Sequence, residues 1–281
     1  PLFFFKQKTS YYIMPSLVCS EMCIRYMLQS DEKANMTAIK QFFEQHEKPI
    51  KIQYPEQFDP KWVVMESGWP CFKLSALDNQ PWDKMHIEAE SLLEYFKDHR
   101  MDYGKGWKSL TLHGVDDDTQ SLDQYGDRKD VVKQLDWTWV AEQCPETKKF
   151  LTNVWPAEFL NRVRFMLLEP GGYIEPHQDR GDKEKRLSVC NISLNNPQGC
   201  KFVFKDHGIV PFEDKGSAFL MDISNVHAVF NDSNEPRIHM IIHYELGRRI
   251  RDFFYVLRPV SYTHLRAHET RHDLVCRLLL E

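Results

Sequence analysis

Four residues of this chain have the types and the spacing that a metal-dependent reaction needs: His177, Asp179, His227 and Arg237. One residue separates His177 from Asp179 in the stretch PGGYIEPHQDRGD. If this stretch is extended, both side chains point to the same face, because alternate residues share one side of a strand. An imidazole and a carboxylate that converge are two of the three ligands in a 2-His-1-carboxylate site for Fe(II).

The third ligand would have to come from a later strand that lies alongside. His227 is the best candidate, because it opens an apolar run directly after the turn-like pair SN. Arg237 follows just after the turn NDSNEP and begins the next apolar run, which we expect to be the strand that neighbours that of His227. A guanidinium that enters the interior from there needs an anionic partner, which a dicarboxylate co-substrate would supply through paired hydrogen bonds.

Each of these residues also has a simpler interpretation. With 12 His and 41 acidic residues, a His-x-acid triplet can arise by chance, and two others occur, at 86–88 and 243–245. His177 and Asp179 could be a polar loop pair, and His227 could be a core histidine. Taken alone, His177 and Asp179 are better explained as the loop pair, since short motifs often match by accident. The pair at 86 and 88 is rejected, because residues two apart on a helix do not share a face.

The elements that would position these residues are short strands. Apolar, β-branched or aromatic runs begin near residue 162: RVRFMLL, RLSVCNISL, KFVF, SAFLMDI, HAVF and RIHMIIHYEL. Turn-rich segments separate them: EPGG, NNPQG, EDKG and NDSNEP. This pattern predicts a mostly β fold, an antiparallel sandwich or barrel of the jelly-roll kind, with bracing helices. In the last strand His239 and His243 alternate with Arg237, so we expect them to face the same interior as core or supporting residues.

The first half of the chain is predicted to be mainly helical. Helices are expected over residues 36–46 and 86–99, and GWKSLTLHG at 106–114 is expected to be a strand. In the second helix one buried stripe should contain Ile87, Leu92, Leu93 and Phe96. We therefore expect a helical N-terminal elaboration over 14–100 and a β domain over 101–259. Trp107 could line a substrate groove, although core packing is the simpler expectation.

Both ends of the chain are expected to be artefacts, over residues 1–13 and 260–281. The C-terminal DLVCRLLLE, read on the opposite DNA strand, encodes most of the N-terminal FKQKTSYYI, and both ends resemble translated sequencing adapter. The evenly spaced His264, His268 and His272 therefore give no metal site.

Composition limits the partners that the protein can have. The 281 residues have 36 basic and 41 acidic side chains, a formal net charge of −5, which disfavours nucleic acid and mildly favours a neutral or basic partner. No signal peptide or membrane span is predicted, so we expect a cytoplasmic protein that binds no membrane. The cysteines match no zinc pattern, and Cys190 is expected to be a buried thiol. The oligomeric state is left open.

At this point the segment from about Arg164 to Glu245 resembles a known family. It is similar to the aspartyl/asparaginyl β-hydroxylase-like branch of the Fe(II)/2-oxoglutarate-dependent oxygenases. The matching stretches are EPGGYIEPHQD, NPQGCKFVF, DKGSAFLMDISNVHAVFNDS and EPRIHMIIH. The resemblance implies a double-stranded β-helix (a jelly-roll, cupin-like core) and a dioxygenase that uses Fe(II), 2-oxoglutarate and O₂.

The resemblance also assigns roles to residues. It makes His177, Asp179 and His227 the iron ligands, and Arg237 the partner of the distal carboxylate of 2-oxoglutarate. The family often has a second polar contact to this co-substrate, for which the chain offers Asn191 or Ser193. The implied substrate is an Asp or Asn residue in a protein or peptide, and related sites act on proline, free amino acids or other small molecules.

Three functions from different classes are weighed. A hydroxylase dependent on Fe(II) and 2-oxoglutarate is favoured by Arg237 and the complete ligand set. A cupin-like metal protein with isomerase or hydrolase activity would not need the arginine. An oxygenase relic that serves as a binding module would be expected to have lost a ligand, and none is lost.

Overall fold

The structure is a computed structural model that describes residues 32–51, 69–74, 77–100, 103–155, 160–179 and 189–244. The chain divides into two compact units, residues 1–45 and 46–281. In the first unit, helix α1 spans Glu32–Glu44 and buries Ile39 and Phe43, four residues apart on one face. This confirms the helix that was predicted from residue 36. Both expected artefact ends, together with Cys19 and Cys23, lie outside the described residues.

The second unit is mainly one antiparallel sheet. Its described part contains eleven strands: β1 Cys71–Lys73, β2 Lys97–Asp98, β3 Gly104–Gly114, β4 Asp136–Trp137, β5 Leu160–His177, β6 Val189–Asn195, β7 Cys200–Phe204, β8 Gly208–Ile209, β9 Ala218–Met221, β10 His227–Asn231 and β11 Arg237–Tyr244. Their order is β1-β9-β6-β11-β5-β10-β7-β8, and β3 lies along β5 with β2 and β4 beside it. The predicted strands after residue 160 and at 106–114 are confirmed.

The sheet curls into a jelly roll because β5 belongs to both of its faces. Residues 160–168 of β5 pair with β11, whereas 173–177 pair with β10. Four strands, β9-β6-β11-β5, form one face, and β5-β10-β7-β8 form the other. Side chains of β9 and β7 share one buried cluster, so the two faces pack against each other. The double-stranded β-helix that the sequence predicted is confirmed.

The bend in β5 lies at residues 169–172, the EPGG stretch. Gly171 has a φ of 70°, which favours glycine. A Cβ atom on Gly172 would lie 2.8 Å from the carbonyl oxygen of Lys105 in β3, closer than real Cβ atoms approach. The two glycines are therefore needed for the strand to turn while it stays against β3.

Short helices lie beside the sheet, and several of them pack against its first face in the main core cluster. They are α2 Trp82–Glu90, α3 Arg128–Val131, α4 Trp139–Gln143 and α5 Pro145–Asn153, with 3₁₀ turns at Leu93–Tyr95, Leu122–Tyr125 and Val132–Gln134. The Glu88 carboxylate of α2 accepts hydrogen bonds from the backbone amides of Glu146 and Thr147 at the start of α5. Glu88 is thus a helix cap, a role compatible with its rejection as a metal ligand.

The predicted second helix was wrong in its extent and in its buried face. The helix begins at Trp82 and ends at Glu90, so its buried stripe is Trp82, Met85 and Ala89. Ile87 is 62% exposed because it lies about 140° around the helix from Trp82. Leu93 is 39% exposed, whereas Leu92 and Phe96 are buried as predicted.

The domain boundary that was predicted at residue 100 stays a prediction. Strand β1, which precedes that boundary, pairs with β9 within the sheet, and α2 lies in the same compact unit, 46–281. The cysteines of the described part are free thiols, and Cys190 is fully buried as expected. Within the described residues, no helix has the length and the apolar character that crossing a membrane requires.

Alternation along β5 and β11 separates the core from a cavity. One side of these strands, including Val163, Phe165 and Met240, packs into the core beneath the helices. The other side, including Arg164 and Arg237, lines a cavity of about 470 Å³ between the two faces. Sequence periodicity therefore already decides which polar residues face the cavity.

Candidate metal centre

The side chains of His177, Asp179 and His227 converge at the mouth of the jelly roll. One possible ligand atom from each of them lies within 4.8 Å of the others, the single such group among the described residues. His177 at the end of β5 is the direct cross-strand neighbour of His227 at the start of β10. Their ring centroids are 4.3 Å apart. The convergence that the sequence predicted is thus present.

The two imidazoles are oriented by the same local contact. Nδ1 of His177 lies 2.7 Å from the carbonyl oxygen of Glu175, and Nδ1 of His227 lies 2.9 Å from that of Asn225. A carbonyl accepts, so each Nδ1 donates a proton and each Nε2 keeps its lone pair. The backbone therefore leaves both Nε2 atoms available as metal ligands.

His227 is also kept uncharged by its surroundings. Burial, and then the neighbouring His177, lower the pKa of His227 to about 4. The Phe202 ring stacks on His227 with centroids 5.4 Å apart. A neutral imidazole that is held in place is the form that binds a metal. Two imidazole nitrogens and one carboxylate oxygen are a donor set that fits Fe(II) and leaves coordination positions for other ligands.

Arg237 begins β11 and is 4% exposed. Its Nε donates to Oδ1 of Asn196 at 3.2 Å, and its Nη2 lies 2.9 Å from Nδ1 of His239. Burial lowers the pKa of Arg237 to about 10, so the group is still a cation at neutral pH. Its hydrogen-bond partners among the described residues are neutral, and a buried cation of this kind calls for an anion. The sequence implied that β11 neighbours β10, but β5 lies between them.

The two candidates for a second polar contact differ in position. Asn191 lines the cavity, and its Oδ1 lies 2.7 Å from Nδ1 of His239. Ser193 is fully buried, and its hydroxyl accepts a hydrogen bond from the backbone amide of Ser217. The geometry therefore favours Asn191 over Ser193 as a cavity contact. His239, which the sequence suggested as a supporting residue, holds Arg237.

Sequence reasoning missed Arg164 and His99, which also line the cavity. Arg164 is 6% exposed on the cavity side of β5. The sequence contains a signal for Arg164: it is a charged residue in an apolar strand, and it shares one side of that strand with Met166 and Leu168. Trp107 also lines the cavity. Its position therefore agrees with the groove-lining alternative and not with the simpler expectation of core packing.

A jelly roll that presents two histidines, one carboxylate and a buried guanidinium to one cavity fits the class of metal-dependent oxygenases that use a small dicarboxylate. The sequence places the chain within this class. Residues 79–245, more than half of the chain, match the family model described as aspartyl/asparaginyl beta-hydroxylase, and the chain belongs to that family. It is an Fe(II)- and 2-oxoglutarate-dependent dioxygenase, with O₂ as the oxidant.

Solved structures with a similar arrangement have low sequence identity. An oxidoreductase of the 2OG-Fe(II) oxygenase family from Burkholderia pseudomallei is 12% identical, with a TM-score of 0.40; the match covers 73% of this chain and 98% of that one. A prolyl-4-hydroxylase from Pseudomonas putida is 16% identical, with a TM-score of 0.38 and coverage of 66% and 98%. No curated protein sequence matches the chain. The family assignment depends on the match to the family model and not on these likenesses.

Proposed function

We propose that this dioxygenase hydroxylates a C–H bond of an Asp or Asn residue in a protein or peptide, with His177, Asp179 and His227 as the ligands of Fe(II). The observation that carries the proposal is the convergence of these three donors, within 4.8 Å of one another, on a cavity that also holds a buried cation. When bound, Fe(II) activates O₂ and couples hydroxylation to the decarboxylation of 2-oxoglutarate, which yields succinate and CO₂.

The protein's own residues bind and orient the reactants. The Arg237 guanidinium binds the distal carboxylate of 2-oxoglutarate, and Asn191 supplies a further polar contact. His239 and Asn196 fix the plane of the guanidinium through their hydrogen bonds to it. Because the site is preorganised, the co-substrate does not have to reorient these side chains when it binds.

The choice of an Asp or Asn residue is supported by the family to which the chain belongs. The cavity of about 470 Å³ has room for a small co-substrate and a side chain together. A free amino acid has similar dimensions, so the substrate screen should contain capped peptides and free amino acids side by side.

The first test uses the full chain with Fe(II) under argon. Adding 2-oxoglutarate should produce a weak visible charge-transfer band, and admitting air should produce succinate, which rises further when the right peptide is present. Iron binding without band or succinate would point to a cupin-like protein of another activity. No iron binding would reduce the PHQD stretch to a polar loop.

Variants separate the assigned roles. Asp179→Ala and His227→Ala should weaken Fe(II) binding and abolish the band, because each removes one of three ligands. His207→Ala is the matched control, since His207 is an exposed histidine on the turn after β7. If His227→Ala binds Fe(II) as the control does, the ligand assignment is wrong.

A further inference from the structure

A second buried guanidinium, Arg164, lies in the same cavity and has no role in the chemistry described above. Its Nη1 donates to the carbonyl oxygen of Gln120 at 3.2 Å and lies 3.5 Å from Nε2 of His99. Its Nη2 lies 3.3 Å from Nε2 of His243. The Nε atom is buried and has no acceptor among the described residues. A charged group is thus held in place by weak, neutral contacts, with a donor left over.

The charges around Arg164 make the need for an anion stronger. Burial lowers the pKa of Arg164 well below its usual value, and the neighbouring Arg162 and Arg100 lower it further. The Asp179 carboxylate acts in the opposite direction but forms no direct ion pair with Arg164 in the described part of the chain. A metal ion bound to Asp179 would compensate the charge of this carboxylate and so weaken its attraction for Arg164. Arg100 and Arg162 line the cavity beside Arg164. The acidic residues among the described lining residues are Asp123 and Asp179, so these three guanidiniums outnumber the carboxylates.

Arg164 and Arg237 lie at different ends of the cavity. In the β5–β11 register, Arg237 is opposite Leu168, next to the bend, and Arg164 is opposite Ile241. Four residues of β5 separate the two positions, or about 13 Å at the usual strand rise. Arg164 contacts His99, whose ring centroid is 4.3 Å from that of Trp107. The Trp107 ring centroid lies 6.5 Å from that of His177, so this series of contacts leads from Arg164 to the candidate metal ligands. One small dicarboxylate at Arg237 therefore leaves the Arg164 end for another anion.

We propose that Arg164 is a substrate-binding residue that receives a carboxylate of the molecule to be hydroxylated. This inference rests on the proposed function, because it assumes that 2-oxoglutarate occupies the Arg237 end. A carboxylate fits better than a neutral amide, since it can accept two hydrogen bonds from the guanidinium and compensate its charge. Acidic side chains, the C-terminus of a peptide and free amino acids all offer this group.

The first measurement uses formate, the smallest carboxylate, on the full chain loaded with Fe(II) and 2-oxoglutarate under argon. Formate should raise the thermal midpoint of the wild type above that in chloride of equal ionic strength. Arg164→Met should abolish this rise while the 2-oxoglutarate band stays. Arg237→Met is the matched control: it should need more 2-oxoglutarate for the band and, once the band is restored, still respond to formate.

The second measurement identifies the source of the carboxylate. Quenching of tryptophan fluorescence, to which Trp107 in the cavity contributes, would report the binding of L-aspartate, a capped Asp peptide and a peptide with a free C-terminus. Each is paired with its amide counterpart. The wild type should bind at least one acid about tenfold more tightly than its amide, and Arg164→Met should lose that preference. Arg164→Lys, which keeps the charge, should restore part of it.

The outcomes distinguish this inference from the proposed function. If the band is absent in the wild type, the proposed function fails, and the inference fails with it. If the band is present but formate has no effect beyond that of chloride, or Arg164→Met responds as the wild type does, only the role of Arg164 is overturned. An acid and its amide that bind equally well to the wild type would also overturn it.

Discussion

Several histidines next to the cavity are held uncharged by the protein interior. Burial lowers the pKa of His99 to about 2, with Arg164 adding to the effect, and lowers that of His239 well below its usual value. Nε2 of His99 faces Arg164, and its Nδ1 lies 3.0 Å from the hydroxyl of Ser109. Arg164 and Arg237 are thus each contacted by a histidine. That histidine can accept a hydrogen bond from the guanidinium only while its imidazole is neutral.

These lowered pKa values predict an acid-sensitive fold. Below about pH 6.5 the unfolded chain binds a proton at His99 that the folded chain does not, so the free energy of unfolding falls as the pH decreases. His99→Gln should reduce the slope of stability against pH by about 1.4 kcal/mol per pH unit between pH 6 and 4. Urea denaturation of the metal-free protein at several pH values measures this slope, and His207→Gln, a change of an exposed histidine, is the control. Equal slopes for the wild type and His99→Gln would show that His99 is protonated in the fold.

At the scale of secondary structure, Asn231 holds the place where the sheet bends. Its Nδ2 donates to the carbonyl oxygens of Leu168, Glu169 and Glu235, and its Oδ1 accepts from the amide and the hydroxyl of Ser233. The side chain is fully buried. It therefore ties the end of β10 to the bend of β5, at the opposite end of β10 from His227.

Asn231→Asp should destabilise the protein strongly. The substitution keeps the shape but directs a carboxylate oxygen at three carbonyl oxygens, so we expect the free energy of unfolding to fall by about 3 kcal/mol or more at neutral pH. Asn153→Asp, at the exposed end of α5, is the isosteric control. Urea denaturation compares the two. A loss below about 1 kcal/mol would mean that the bend is held by other contacts.

The strands and the pairing of His177 with Asp179 could be predicted from the sequence, because alternation and turn residues determine them locally. Arg237 and His227 could be placed because each starts a strand directly after a recognisable turn. The buried face of α2 could not be predicted in this way. Pro81 precedes the helix, which begins at Trp82, four residues before the predicted start, and the apolar stripe then excludes Ile87. Local alternation indicates on which side of β5 Arg164 lies, but it cannot show that three distant residues, His99, Gln120 and His243, converge on it.

For the molecule as a whole, two buried cations make stability depend on bound anions. Neither Arg164 nor Arg237 forms an ion pair within the described part of the chain, and a buried charge without a partner costs stability. Ligands that supply the missing charges should therefore stabilise the folded protein well beyond their contact area. The enzyme should be least stable when it is empty and should become rigid as its reactants bind.

Arg237→Met should reverse this dependence on ligand. The empty variant should be at least as stable as the empty wild type, because a buried cation is replaced by an apolar group of similar length. At a 2-oxoglutarate concentration 100 times the dissociation constant, the Fe(II)-loaded wild type should gain about 2.7 kcal/mol, and the variant should gain much less. Anaerobic thermal unfolding measures both effects. An equal gain in wild type and variant would remove Arg237 from the co-substrate site.

Side chains of the single strand β11 contribute to both ends of the cavity. Arg237 and His239 lie at the end proposed for the co-substrate, whereas Ile241 and His243 border the end beside Arg164. Only alternate positions of the strand face the cavity. Preference for a new substrate could thus evolve through changes at 241 and 243 that leave the binding of 2-oxoglutarate unchanged. A directed-evolution library confined to these two positions would explore specificity with little risk to catalysis.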